Sequence, residues 1–303
     1  MLPTARLTAV LITTTLLLGG CTSAGKLSST QSKMAQTPIT DKPSGEVYPG
    51  KFIWHDLLTP EPEKVGQFYQ ALFGWTINYQ EHYAVVLNGD KRIAGIIKAQ
   101  SADKQAEGGL WIPSVSVTDV DASASLVTAN GGQILKGPID MGKRGRAVLI
   151  RDPQQADLLL LRAKGGDPAA TDTAIGDWLW DELWSKDPNA AETFYGAVLG
   201  YGKVLKTDDY SVLMRDQKWR AGIRRVHDKI KHLLWVPVVR VADANATARR
   251  VKELGGVVWV APGELPASPN TALIADTSGA LLLIQRWSPQ ATNRETTEGE
   301  LSL

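Results

Sequence analysis

The spacing of apolar residues between positions 51 and 163 predicts an ordered succession of strands and helices. A helical spacing of three or four residues is found at Val65, Phe68, Tyr69 and Leu72. Pro62 precedes them, where the first helical turn tolerates a missing N–H. A second helix is predicted at 120–130, before the glycine at 131. Short β-rich runs predict strands at 51–58, 83–87, 92–98, 147–150 and 158–161.

The same order of elements returns in the second half of the chain, which indicates an internal duplication. Trp-His-Asp-Leu at 54–57 and Trp-Asp-Glu-Leu at 180–183 stand 126 positions apart, and Phe-Tyr at 68–69 recurs at 194–195 with the same offset. The chain is therefore expected to hold two copies of one domain, each built as strand, helix and three strands, repeated once. The predicted boundaries are 51–163 and 177–287, with a linker at 164–176 and a disordered tail at 288–303.

The chain opens with an apolar stretch that is typical of a signal peptide. One basic residue, Arg6, precedes about a dozen apolar or small residues, too few for the roughly 20 that a membrane-spanning helix needs. Leu-Gly-Gly-Cys at 18–21 resembles the lipobox of bacterial lipoproteins, which implies cleavage of residues 1–20 and lipidation of Cys21, the only cysteine. Residues 21–50 are poor in large apolar groups and are predicted to be a flexible tether. The expected location is the cell envelope, at the outer membrane facing the periplasm.

Composition narrows the range of partners. The 33 Lys and Arg residues balance the 32 Asp and Glu residues, so the chain lacks the basic excess typical of nucleic-acid-binding proteins. The sequence contains no phosphate-binding P-loop, dinucleotide glycine fingerprint, Gly-x-Ser-x-Gly elbow or Cys-x-x-Cys pair. No cofactor is implied, and the oligomeric state is left open.

The repeated motifs of the two copies resemble those of the vicinal oxygen chelate superfamily, the group of glyoxalases, bleomycin-resistance proteins and extradiol dioxygenases. The resemblance rests on the Trp-x-[Asp/Glu]-Leu strands, the Pro-led helices with Phe-Tyr, the exits at 73–75 and 199–201, and Val-Thr-Asp-Val-Asp at 117–121. It implies an α+β fold with two tandem domains, each of paired βαβββ units that form a cupped sheet. The chain is similar to a tandem branch related to lactoylglutathione lyase.

The resemblance also identifies the positions at which metal-using members carry His, Gln or Glu ligands. In this chain those positions are occupied by Trp54, Ile112 and Leu159 in the first copy and by Trp180, Val236 and Leu283 in the second. None of these side chains is a ligand for a divalent cation. The four histidines, His55, His82, His227 and His232, do not match between the copies. Strand alternation also turns His55 away from the cup, so the sequence predicts no metal site.

Asp56 and Glu182 are the polar residues expected on the inward faces of the first strands. A carboxylate there could act as a general base or bind the polar head of a ligand. The structural alternative is that each carboxylate caps a neighbouring backbone group or forms an ion pair with an arginine such as Arg92 or Arg220.

Tryptophan is abundant, with ten residues in the chain. An indole offers a broad apolar face and one N–H donor, which suits a flat or amphipathic ligand. The predicted ligand-binding residues are Trp54, Asp56, Trp111, Trp180, Glu182, Trp184 and Trp235. Trp75 and Trp219 are assigned to packing.

Three hypotheses for function follow. The first is a membrane-tethered protein that binds a small hydrophobic or aromatic molecule without metal in one or both cups. The second is a glyoxalase-like lyase or isomerase that uses Asp56 or Glu182 as a catalytic residue. The third is an envelope scaffold that uses the fold only to bind other proteins.

Overall fold

The computed structural model describes residues 37–80, 83–99, 108–230, 232–264 and 268–287, which form four βαβββ units. The first unit contains β1 (Phe52–Thr59), α1 (Pro62–Phe73), β2 (Thr76–Tyr79), β3 (Tyr83–Asn88) and β4 (Lys91–Lys98). The second contains β5 (Leu110–Ser116), α2 (Val120–Ala129), β6 (Gln133–Asp140), β7 (Gly145–Arg151) and β8 (Asp157–Ala163). The third contains β9 (Trp178–Ser185), α3 (Pro188–Leu199), β10 (Lys203–Lys206), β11 (Tyr210–Arg215) and β12 (Lys218–Arg225). The fourth contains β13 (Trp235–Val241), α4 (Ala244–Glu253), β14 (Val257–Val260), β15 (Thr271–Ala275) and β16 (Leu281–Arg286).

Local sequence accounts for the ends of the helices. The side chains of Asp119, Asp187 and Asp243 accept hydrogen bonds from backbone N–H groups in the first turns of α2, α3 and α4. Helix α1 begins at Pro62 and is capped at its C-terminal end by Gly74, whose φ of 73° is left-handed and favours glycine. The two helices predicted in the first copy are confirmed within a residue or two.

Each pair of units forms one mixed sheet of eight strands. The orders are β2-β3-β4-β1-β5-β8-β7-β6 and β10-β11-β12-β9-β13-β16-β15-β14. In the first sheet the two units meet where β1 pairs antiparallel with β5, while β1 pairs parallel with β4 on its other side. The second sheet repeats this arrangement around β9. The predicted α+β class, with two sheets of duplicated βαβββ units, is confirmed.

The helices pack in pairs between the two sheets. Helix α1 contacts α4, and α2 contacts α3, so each pair joins the first copy to the second. One apolar core contains Val65 and Phe68 of α1 together with Ala248 and Val251 of α4. A second core surrounds α2 and α3. Full burial of each large apolar side chain contributes about 1.5–3 kcal/mol to stability. Because both cores contain residues of both copies, the two copies form one packed body.

The segment before β1 differs from the tether predicted at 21–50. Thr37 and Ile39 are buried, and the chain at 43–46 forms backbone hydrogen bonds with residues 165–167. The prediction is therefore wrong for residues 37–50, because these few apolar and backbone groups find partners on the first sheet. The predicted signal peptide, Cys21 and the tail at 288–303 lie outside the described residues. In the described part of the chain, no helix is long and apolar enough to span a membrane.

Candidate functional site

Each sheet has a face directed away from the helices, and we call these faces cup 1 and cup 2. The apolar residues of cup 1 include Trp54, Tyr83, Val85, Ile97, Ala147, Leu159 and Leu161. Those of cup 2 include Leu179, Trp180, Trp184, Val236, Val238, Leu273 and Leu283. Both faces carry a carboxylate near their centre, Asp56 in cup 1 and Glu182 in cup 2.

The donor chemistry of the two cups does not fit a metal ion. Trp180, Val236 and Leu283 come together in cup 2, and Trp54 and Leu159 come together in cup 1. Carbon atoms and indole N–H groups supply no lone pair that a divalent cation binds. Among the described residues, no group of three or more His, Cys, Asp or Glu side chains has an arrangement that would hold a metal.

A closed polar cluster occupies the centre of cup 1. Asp56 accepts hydrogen bonds from Trp54 Nε1 at 3.0 Å, Tyr83 Oη at 3.1 Å and Arg144 Nη1 at 2.7 Å. The Nη2 group of Arg144 also donates to the Tyr83 hydroxyl. Trp54 is 1% exposed and Arg144 is 0% exposed, so the ion pair between Asp56 and Arg144 is shielded from solvent. Burial, with Asp56 nearby, raises the pKa of Tyr83, which keeps the phenol protonated.

Cup 2 carries a related cluster that is more accessible. The Glu182 carboxylate forms a bidentate pair with Arg224, whose Nε and Nη2 donate hydrogen bonds at 2.6 and 3.0 Å. It also accepts a hydrogen bond from Trp184 Nε1 at 3.1 Å. The Arg224 guanidinium lies 5.0 Å from the centre of the Tyr210 ring. Tyr210 accepts a hydrogen bond from Trp180 at 2.8 Å. In contrast to Trp54, both Trp180 and Trp184 are only partly buried.

A glycine allows each tyrosine to approach the sheet. A Cβ on Gly95 would overlap the hydroxyl of Tyr83 and the carboxylate of Asp56. A Cβ on Gly222 would overlap the hydroxyl of Tyr210 in the same way. The two sites are thus repeats of one design, in which a glycine leaves room for a phenol beside a carboxylate.

A β-bulge places Trp219 at the rim of cup 2. Met214 and Leu213 of β11 pair with Trp219 and Ala221 of β12, so Arg220 is an extra residue. The ring of Trp219 lies 6.3 Å from that of Trp180, and the side chain is 52% exposed. The assignment of Trp219 to packing is therefore wrong, because the bulge shifts the alternation of the strand.

The arginine partners differ from those expected. Ion pairs do hold Asp56 and Glu182, but through Arg144 and Arg224. Arg92 instead pairs with Asp41 at 2.6 Å. Arg144 comes from the turn between β6 and β7, far from β1 in sequence, and no local pattern identified it.

Trp111 and Trp235 do not line the cups. Trp111 donates to Tyr69 Oη at 3.1 Å, and Tyr69 donates to Asp276 Oδ2 at 2.8 Å. The second copy repeats this chain of bonds with Trp235, Tyr195 and Asp152. Each indole lies in a core between the sheets. The prediction that both bind ligand is wrong, because adjacent strands place these residues on the helix-facing side.

His55 also lies on the helix-facing side, as strand alternation predicts. Its Nε2 is 2.8 Å from Oδ1 of Asp181, and both residues are buried. His55 and Asp181 are equivalent positions of the two copies, since they stand 126 residues apart. The pair joins the two sheets and belongs to neither cup.

Comparison with known proteins agrees with the fold. Residues 51–158 match the model of the glyoxalase/bleomycin resistance protein/dioxygenase superfamily. The "Putative glyoxylase CFP32" of Mycobacterium tuberculosis is 27% identical over 249 residues, which cover 78% of this chain and 95% of that protein. The anthracycline biosynthesis protein DnrV of Streptomyces peucetius is 28% identical, over 77% of this chain and 91% of its own.

Solved structures share the fold of the whole body. The Mn(II)-bound glyoxalase from Novosphingobium aromaticivorans has a TM-score of 0.57 at 14% identity, covering 79% of this chain and 83% of its own. The 2,3-dioxygenase LapB from Pseudomonas sp. KL28 also has a TM-score of 0.57, at 12% identity, covering 83% and 97%. The first copy, at residues 51–158, is therefore a domain of the glyoxalase/bleomycin resistance protein/dioxygenase superfamily, and the second copy repeats its βαβββ architecture.

Proposed function

We propose that this protein binds a small, flat, hydrophobic molecule in cup 2 and does so without a metal ion. The observation that carries the proposal is the accessible group of Trp180, Trp184 and Trp219 beside the Arg224–Glu182 pair. Binding pockets for small molecules combine apolar or aromatic walls with a few fixed polar groups, and cup 2 has both.

The indoles and the guanidinium suggest the chemistry of the ligand. Flat aromatic rings gain about 0.5–1.5 kcal/mol from contact with another ring beyond the burial of area. Arg224 uses Nε and Nη2 for Glu182, and neither N–H of its Nη1 has a hydrogen-bond partner among the described residues. Those two donors suit a carbonyl or anionic oxygen. The proposed ligand is therefore a planar aromatic molecule with an oxygen acceptor at one edge.

The name of one relative supports an aromatic ligand, while that of the putative glyoxylase CFP32 indicates an enzyme. DnrV is named as an anthracycline biosynthesis protein, and a molecule with fused rings would fit the indole-lined face of cup 2. The lyase hypothesis has less support, since the guanidinium of Arg144 already engages Asp56 and that of Arg224 engages Glu182. A carboxylate held in this way is poorly placed to take a proton from a substrate.

Tryptophan fluorescence tests the proposal directly. Titration with anthraquinone-2-sulfonate, a flat aromatic acceptor, should quench the protein in a saturable manner with one site per chain. Trp219→Ala should weaken binding roughly tenfold, which corresponds to about 1.4 kcal/mol. Trp287→Ala is the matched control, because that indole is 41% exposed and also contacts an arginine, but this arginine is Arg240 and not the Arg224 beside Trp180. Equal affinities for the two variants would overturn the assignment to cup 2.

We also propose that Cys21 carries a lipid that holds the protein at the cell envelope. The support is the Leu-Gly-Gly-Cys sequence after a short apolar stretch. Metabolic labelling with an alkyne fatty acid should mark the parent and should fail to mark Cys21→Ser. Labelling of both proteins would refute the anchor.

A further inference from the structure

The segment 37–41 lies across cup 1. Ile39 is 2% exposed and belongs to the same apolar cluster as Trp54, Tyr83 and Ile97. Thr37 is buried as well. An apolar side chain from outside the four βαβββ units thus packs against the inner face of the first sheet.

Contacts on both sides of cup 1 hold this segment in place. Asp41 pairs with Nε of Arg92 at 2.6 Å, on strand β4. Directly afterwards, Ser44 N donates to Asp167 O at 3.1 Å and Gly45 N donates to Gly165 O at 3.0 Å. The attachment at 43–46 fixes the direction of the chain, so residues 37–41 are held near the cup even when Ile39 leaves it.

Cup 2 differs at the equivalent positions. Arg92, which binds Asp41, corresponds to Trp219, which is half exposed. The chain that precedes β9 carries one large aliphatic residue, Ile175, and this side chain is 57% exposed instead of buried in cup 2. One cup is therefore covered by the segment before its first strand, while the central indoles of the other are partly accessible.

We propose that residues 37–41 are an intramolecular plug that closes a second ligand site in cup 1. The ligand of this site is of the same class as in cup 2, a flat hydrophobic molecule, and it competes with Ile39 for the face made by Trp54, Tyr83 and Ile97. Its apparent affinity is its intrinsic affinity multiplied by the fraction of time that the plug is open. Cup 1 is thus a conditional site, and weakening the plug makes it available.

The test counts binding sites for 1-anilinonaphthalene-8-sulfonate, an environment-sensitive aromatic dye. The chain from residue 22 onward is used, since it keeps every described residue. Ile39→Asp places a charge in the apolar cup and should release the plug, adding one dye site per chain relative to the parent. Ile175→Asp is the matched control, because the same change at an exposed position leaves the plug in place.

The count separates this inference from the proposed function. The dye site that Ile39→Asp gains over the parent measures release of the plug. The inference about cup 1 therefore stands even if the parent binds no dye in cup 2. An equal number of sites in the parent and Ile39→Asp would overturn it, as would an added site in Ile175→Asp. A chain that lacks residues 22–41 serves as a second variant if Ile39→Asp fails to fold, with near-UV circular dichroism as the check. This shortened chain should also gain one site, and no gain would refute the plug.

Discussion

The buried carboxylate of Asp152 provides a quantitative test of the packing between the two copies. Its Oδ1 accepts hydrogen bonds from the backbone N–H groups of Gln154 and Ala156, both at 2.8 Å. Its Oδ2 accepts from Tyr195 of the other copy at 3.0 Å. Burial outweighs these bonds and raises the pKa of Asp152 from 3.8 to about 6.

This pKa shift predicts a loss of stability as the pH rises. The folded protein holds the proton of Asp152 more tightly than the unfolded chain does. The contribution of this proton to the free energy of unfolding is therefore fully present below pH 3.8. It is lost as the pH rises through about 6. A shift of this size corresponds to about 3 kcal/mol in total, of which about 2 kcal/mol falls between about pH 4.5 and pH 7.

Urea unfolding of the parent and of Asp152→Asn measures this effect. The amide keeps an acceptor for the two backbone donors and removes the titration, so any loss of the Tyr195 bond adds a constant offset. Between about pH 4.5 and pH 7, the free energy of unfolding of the parent should fall by about 2 kcal/mol relative to that of the variant.

Asp121→Asn is the control for this experiment. Asp121 is exposed and forms a hydrogen bond with Arg146, which lowers the pKa of Asp121 below 3.8. The difference in the free energy of unfolding between Asp121→Asn and the parent should therefore stay constant over this pH range. A flat difference for Asp152→Asn as well would refute the claim that this carboxylate is buried between the copies.

Two further substitutions test the cups and the seam between the sheets. Gly95→Ala should lower the melting temperature, because its Cβ would displace Tyr83, whereas Gly202→Ala meets no atom within 4 Å and should not; equal melting temperatures would contradict the close approach. His55→Ala should cost about 3–5 kcal/mol in the free energy of unfolding by leaving Asp181 buried without its partner. Adding Asp181→Ala should recover part of that loss, and simple additivity of the two losses would contradict the pairing.

The duplicated fold could be predicted from the sequence because its signals are local. The spacing of Val65, Phe68 and Tyr69, the proline at 62 and the constant offset between the copies each depend on nearby residues. Strand periodicity also correctly predicts that His55 faces away from cup 1. Short edge strands such as β2 and β10 cannot be predicted in this way, since a strand of four residues shows too little alternation.

The details of the site depended on contacts between distant parts of the chain. Asp56 is predictable because it lies two residues from Trp54 on the same face of one strand, but its partner Arg144 comes from a turn 88 residues later. The assignment of Trp219 to packing is wrong because a bulge reverses the face of the strand on which this side chain lies. Ile39 lies in a segment whose composition resembles a tether, and only the surface that it covers distinguishes it from one.

Calorimetric titration of the metal-stripped chain with anthraquinone-2-sulfonate tests the central claim most directly. We expect one ligand per chain, with the same affinity in the presence of a chelator and of added Ni²⁺, Zn²⁺ or Mn²⁺. This follows from Trp180, Val236 and Leu283, which offer no donor to a cation at the centre of cup 2. Binding that appears only with stoichiometric metal, or no binding under either condition, would contradict the account.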